Sequence, residues 1–297
     1  MKFDFSALEW HAMSQEQRTE QLRGEFGRWM MEQSARHVAA FWWVESPVTS
    51  QFLICPPQPP RVRNGSAFFA QIEGNLLCIT AAHVYRGFLD AKARYPGLVC
   101  RLGEGTFVFG AEANLCSLGG TTPGVDRVDI ATFHVTPDDL RTIGKEAVIA
   151  PLGSWPPHHP FAGQQARLAG FPGVARLWIS EREISFGLYS AGPAVGCSSE
   201  TRITFPFERE TWVDSLGRGL PPKGMDLGGM SGGPVLFPTE RDRDWSLNIG
   251  GVISEMPTSP DYEMVVAVPA HYIASDGKVL DERSAPLRHY VPAIPNH

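Results

Sequence analysis

Ser231 lies in the run Asp226-Leu-Gly-Gly-Met-Ser-Gly-Gly-Pro234, which suits neither a helix nor a strand interior. Glycine adopts backbone angles closed to other residues and lets a substrate approach the main chain. A nucleophile turn needs both properties, because its own N–H groups must point at a developing negative oxygen. An ordinary glycine-rich turn is the competing reading. Two further stretches weigh against it, Ile79-Thr-Ala-Ala-His83 and Val128-Asp129-Ile-Ala131. A serine hydroxyl is a weak nucleophile at neutral pH and needs a base within hydrogen-bond reach. His83 supplies a base that later serves as the acid for a leaving amine. Asp129 supplies a carboxylate to fix the imidazole tautomer and stabilise the imidazolium.

Such groups must be held by elements far apart in the chain, and the patterning suggests strands. Gly65-Ser-Ala-Phe-Phe-Ala-Gln-Ile72 and Asn75-Leu-Leu-Cys-Ile-Thr80 flank Glu73-Gly74, which predicts a hairpin leading into His83 and a short helix after it. Residues 40–55 are aromatic and β-branched, suited to one or two strands, and Pro56-Pro57-Gln-Pro59-Pro60 ends them. Strands are also expected at 98–102, 106–109, 128–135, 166–172, 176–180, 184–189, 202–205, 235–237, 247–254 and 264–268, with a short helix near 270–274. Residues 1–13 give no pattern. Ser14 and Gln17 form a capping box, and Leu22, Phe26, Trp29, Met30 and Ala40 follow near one helical face, weakened by Gly24 and Gly27.

Bulk properties narrow the class. The chain has 297 residues, is 43% hydrophobic and 20% charged, and carries a net charge of −6, which gives no sign of a nucleic-acid partner. No apolar run reaches the roughly 18 residues of a membrane helix, and the N-terminus lacks a signal-peptide core. The five cysteines, at 55, 78, 100, 116 and 197, show no metal-ligand spacing, and His158-His159 lacks companions, so no cofactor or metal is expected. Reduced, mostly buried thiols and a cytoplasmic location follow as expectations.

The motifs Thr80-Ala-Ala-His83, Asp129-Ile-Ala131 and Gly229-Met-Ser-Gly-Gly-Pro234, in that order, resemble those of the chymotrypsin-like serine peptidases. The resemblance implies an all-β fold of two six-stranded antiparallel Greek-key barrels, here with an added N-terminal helix. It divides the chain into a helical extension (1–40), a first barrel carrying His83 and Asp129 (41–136), a connector (137–165) and a second barrel carrying Ser231 (166–297). It implies an oxyanion hole from the N–H groups of Gly229 and Ser231. Ser254 would support the aspartate, while Glu255 and Met256 would line the substrate path. Asp226 would sit near the base of a specificity pocket, where it favours a basic side chain or bonds a neighbouring loop. Asp126, three residues before Asp129, lies outside the motif frame.

The sequence departs from the family at two points. A valine, Val84, follows the histidine where secreted relatives commonly place a cysteine, and Met230 precedes the nucleophile where zymogen-activated relatives place an aspartate. Methionine cannot pair with a newly cut N-terminus, so activation of that kind is not expected. The function expected is a serine endopeptidase acting on proteins or peptides, regulated inside the cell, with a regulatory protein partner and the N-terminal segment as a packing layer or docking arm. A latent or non-catalytic binding module on the same fold is the alternative. An esterase of another fold is disfavoured because the run lacks the Gly-x-Ser-x-Gly strand-to-helix context.

Overall fold

The computed structural model describes residues 1–45, 61–105, 107–120, 128–180, 183–207, 210, 212–214, 219–257, 263–281 and 285. Cys55 and Asp126 lie outside them. The described chain is mostly β. The first half contributes β1 (Val38–Glu45), β2 (Arg61–Ile72), β3 (Asn75–Thr80), β4 (Cys100–Leu102), β5 (Val108–Phe109), β6 (Leu115–Leu118), β7 (Ala131–His134) and β8 (Val148–Ile149). The second contributes β9 (Arg167–Gly170), β10 (Arg176–Ser180), β11 (Glu183–Phe186), β12 (Tyr189–Ala191), β13 (Cys197–Ser198), β14 (Ile203–Pro206), β15 (Pro234–Arg241), β16 (Asp244–Glu255) and β17 (Met264–Pro269).

These strands form the two-sheet, predominantly antiparallel architecture expected. Short additions extend each sheet beyond six strands, to eight and seven among the described residues. The first runs β5-β4-β1-β2-β3-β7-β6, with β8 joining β2 in parallel. The second runs β12-β9-β15-β16-β17-β14-β13, and β10 pairs with β11 as a separate hairpin. An antiparallel bridge between Gln165 and Ala194 brings the chain before β9 against the chain before β13, so the two ends of the second sheet approach one another.

Burial follows the strand period of two. In β1, Ala39, Phe41 and Trp43 enter the interior of the first sheet, while Val38, Ala40 and Trp42 face the second half of the chain. Both faces are therefore covered, which is why the strand reads as a continuous apolar run rather than an alternation. A further core, including Leu168, Ile203, Phe205, Met230 and Val235, fills the second sheet. The β2–β3 hairpin turns on Glu73 (φ 48°) and Gly74 (φ 88°). Paired left-handed residues match the twist of the flanking strands, which explains why this turn was legible.

The N-terminal segment forms three helices, α1 (Ala7–Ala12), α2 (Gln15–Arg23) and α3 (Glu25–His37). The Ser14–Gln17 capping box opens α2 as expected, but Gly24 leaves helical geometry and breaks the run. Gly27 then lets α2 and α3 approach closely, since a Cβ there would lie 1.8 Å from the Leu22 carbonyl oxygen. Ala40 belongs to β1 rather than to the helical face. Two residues from the stretch that gave no pattern, Phe5 and Trp10, help anchor this layer. Phe5, Trp10 and Phe26 pack in a ring cluster that includes Trp245 on β16. Large buried aromatics contribute strongly to packing, so the layer is part of the core rather than a loosely tethered arm.

Helical elements also occur within and after the sheets. Helix α4 (Ala82–Arg94) is longer than the short helix expected after β3. Helix α5 (Pro137–Ile143) is opened by a Thr136–Asp139 capping box and closed by left-handed Gly144. The anticipated C-terminal helix is the single 3₁₀ turn Ala270–Tyr272. Within it His271 is 3% exposed, its ring 4.4 Å from Tyr272 and 6.1 Å from His159.

Burial, reinforced by nearby His159, pushes the His271 pKa down to about 4 from the ordinary 6.5. The folded state thus holds this ring neutral, and the associated stability is fully present above pH ~6.5. It is lost as pH falls towards ~4, by on the order of 3 kcal/mol. Replacing His271 with glutamine should flatten the acid limb of stability against pH, measured by thermal or urea unfolding. An unchanged acid limb would contradict this assignment.

Candidate active site

The end of β3 delivers the chain directly into α4, and His83 occupies the first turn of that helix. The helix has no side-chain cap of its own, so its first N–H groups need partners from elsewhere. Asp129, just before β7, supplies one. Its Oδ1 accepts from the His83 main-chain N–H at 2.8 Å, and its Oδ2 contacts His83 Nδ1 at 2.6 Å. Ser254 Oγ also donates to Oδ2, at 2.6 Å. Burial alone would raise the Asp129 pKa. The hydrogen bond and charge of His83, with the Ser254 and main-chain donors, outweigh burial and hold it below the usual carboxylate range. An ionised carboxylate only accepts, so Nδ1 is the nitrogen that carries the proton in a neutral ring, in which Nε2 keeps its lone pair. The His83 side chain is 49% exposed and that of Asp129 18%, placing the ring at the mouth of the site and its partner behind it.

Ser231 arrives from the other sheet, on the turn before β15. Its hydroxyl donates to the Ser254 carbonyl oxygen at 3.0 Å, and among the described residues it has no hydrogen bond to His83. Ser254 therefore connects the two halves, touching Asp129 through its hydroxyl and Ser231 through its main chain. Met230 is fully buried in the apolar core of the second sheet, so the residue before the serine is anchored by packing.

The turn around Ser231 presents donors in a fixed arrangement. The Met230 N–H is taken by the Leu227 carbonyl at 3.0 Å, and the Gly232 N–H by that of Ile253 at 2.7 Å. The N–H groups of Gly229 and Ser231 have no hydrogen-bond partner among the described residues. The carbonyls on either side of Gly229 are restrained. Gly228 O accepts from the Gly173 N–H at 2.6 Å, and Gly229 O accepts from Ser66 Oγ at 2.8 Å. Gly229 has φ 105°, a region favouring glycine.

Ser66 had not been singled out from the sequence, yet it joins the two sheets at this point. Its N–H donates to Ser231 O at 2.8 Å, and its hydroxyl, besides holding Gly229 O, accepts from the Phe171 N–H at 2.8 Å. Only its place in the β2 strand leading to the histidine hairpin hinted at this role. Ser66→Ala leaves the buried Phe171 N–H and the half-buried Gly229 carbonyl short of a partner, a loss of about 1–3 kcal/mol. If the turn acts in turnover, the variant should lose kcat by roughly tenfold or more with little change in KM. A loss confined to KM, or none, would show that this hydroxyl does not position the turn.

The remaining expected site residues divide. Glu255 and Ser254 line a cleft of 440 Å³ together with His83 and Asp129. Met256 packs beside that region against the core of the second sheet. Asp226 lies apart from these. It is exposed, its Oδ1 accepts from the Gly228 N–H at 2.8 Å, and it does not line this cleft. Its bond to the Gly228 N–H is a local side-chain turn, the loop contact that is the alternative to a pocket role. Among the described residues Cys78, Cys100, Cys116 and Cys197 are free thiols; the first two are buried, Cys116 is half-buried and Cys197 exposed. No helix among the described residues is long and apolar enough to cross a membrane.

No protein-family model matches this sequence. No curated protein matches it significantly. Among solved structures, the fold is similar to a thermostable serine protease from an extremophilic microorganism, at 15% identity and a TM-score of 0.44, covering 79% of this chain and 91% of that one. It is also similar to an HtrA-type protease, a substituted AlgW with a decapeptide, at 13% identity and a TM-score of 0.40, covering 83% and 64% of the respective chains. A structure from work on the Sesbania mosaic virus VPg protein is similar at 14% identity and a TM-score of 0.37, over 71% and 81%.

Proposed function

We propose that this protein is a serine endopeptidase acting through Ser231, His83 and Asp129. The observation that carries the reading is the connected set of bonds from His83 Nδ1 to Asp129, from Asp129 to Ser254 and from Ser254 to Ser231, beside two main-chain N–H groups without partners among the described residues. In this reading Ser231 Oγ leaves Ser254 O and attacks the peptide carbonyl carbon as its proton passes to His83 Nε2. The carbonyl oxygen becomes negative and is held by the N–H groups of Gly229 and Ser231. The C–N bond then breaks, the amine takes the proton from His83, and water, deprotonated by the same nitrogen, releases the acid from Ser231.

The free thiols support a reducing compartment for the enzyme. One observation favours the second reading, a latent or binding module that a partner switches on: the Ser231 hydroxyl rests on Ser254 O and not on its base. Incubation with an unfolded protein, followed by sequencing of new N-termini, separates the two. Cleavage by the native chain that vanishes in Ser231→Ala supports the endopeptidase. Absence of cleavage by a folded native chain contradicts a constitutive peptidase and favours the latent module.

A further inference from the structure

The cleft beside His83 contains an arginine that meets no carboxylate among the described residues. Arg86 lies three residues after His83, on the same face of α4, and lines the cleft with Asp129, Arg202 and Glu255. Its Nη2 donates to the carbonyl oxygens of Gly119 and Gly120, the latter at 2.7 Å. The backbone that carries these acceptors is tightly constrained. A Cβ on Gly119 would lie 2.4 Å from the Val128 carbonyl oxygen, and Gly120 has φ 63° with Arg86 Nη2 3.1 Å from where its Cβ would stand.

The other charges of the cleft are already engaged. Arg202 stands 3.8 Å from Glu255, and Asp129 is bonded to His83 and Ser254. Among the described residues no carboxylate pairs with Arg86, and its Nε and Nη1 have no hydrogen-bond partner. A guanidinium held through Nη2, with its charge beside a cleft, is suited to a single charge-assisted bond from Nη1 or Nε to a carboxylate. The same charge repels a basic side chain.

We propose that Arg86 makes this cleft selective for a substrate carrying a carboxylate side chain close to the scissile bond. The inference rests on the peptidase reading above. It differs from the basic preference that Asp226 suggests, a carboxylate that bonds the Gly228 N–H of its own turn.

The test profiles cleavage in a proteome-derived peptide library and then compares matched peptides that differ only by Glu or Gln at the preferred position. A fluorophosphonate probe counts competent sites in each preparation. The native enzyme should prefer the Glu peptide by about tenfold in kcat/KM, the scale of one modest charge-assisted contact. That preference should shrink as salt is raised. Arg86→Gln should bring the ratio close to one, Arg86→Lys should retain part of it, and Arg202→Gln should leave it largely in place. Labelling and cleavage with no acidic preference, or a preference that survives Arg86→Gln, would overturn this inference and leave the peptidase reading standing. Neither labelling nor cleavage in the folded native chain would overturn both.

Discussion

Replacing Asp129 with asparagine is expected to lower kcat by about ten-thousand-fold in a chain that still folds. The carboxylate accepts three hydrogen bonds, two at Oδ2 and one at Oδ1. An amide of the same shape can keep one oxygen but must turn an NH₂ group towards donors. If that group faces His83, Nδ1 becomes the acceptor and the proton moves to Nε2, which can then no longer take a proton from Ser231. If it faces the main-chain N–H of His83, the first turn of α4 loses its partner. The first outcome removes the base outright, and the second keeps the tautomer but loosens the helix turn that carries His83, while the serine and the N–H pair persist in both. Steady-state rates normalised to intact protein provide the measurement. A loss below about tenfold would remove Asp129 from the reaction.

Gly229→Val is expected to cost about a hundred- to a thousand-fold in turnover with Ser231 untouched, the scale of losing one oxyanion donor. A Cβ at this position would lie 2.7 Å from the Phe171 carbonyl oxygen, 2.8 Å from Asn64 Nδ2 and 3.0 Å from the Gly173 nitrogen. Two of these neighbours are backbone atoms and cannot swing away. Asn64 is itself held, donating to Phe171 O at 2.7 Å. The backbone would also have to abandon φ 105°, which valine does not tolerate. The turn must therefore shift, and the Gly229 N–H shifts with it. Circular dichroism would establish that the variant is folded, and near-normal turnover of such a variant would contradict the assigned hole.

Much of the site could be read from sequence because local chemistry carries it. The glycines around Ser231, the small residues before His83 and the Glu73-Gly74 turn are requirements of the backbone at those points. The strands of both sheets were legible where alternate residues fill two cores, as in β1. What was missed depends on partners distant in the chain. Phe3, Phe5 and Trp10 have meaning only beside Trp245. Ser66 is one polar residue in an apolar strand until Gly229 and Ser231 are brought against it. The acceptors of Arg86 are backbone oxygens, and no side-chain pattern announces them. Helix α5 is a different case. Thr136, Pro137 and Asp139 form a recognisable helix start, but the helix spans only 7 residues before the proline-rich stretch of the connector.

The central claim is that Ser231 is an activated nucleophile, and covalent labelling by a fluorophosphonate tests it most directly. The native chain should take up a single label, located on Ser231 by mass spectrometry. Labelling should be absent in Ser231→Ala and strongly slowed in Asp129→Asn. A folded native chain that takes no label, or takes it on another residue, would contradict the account.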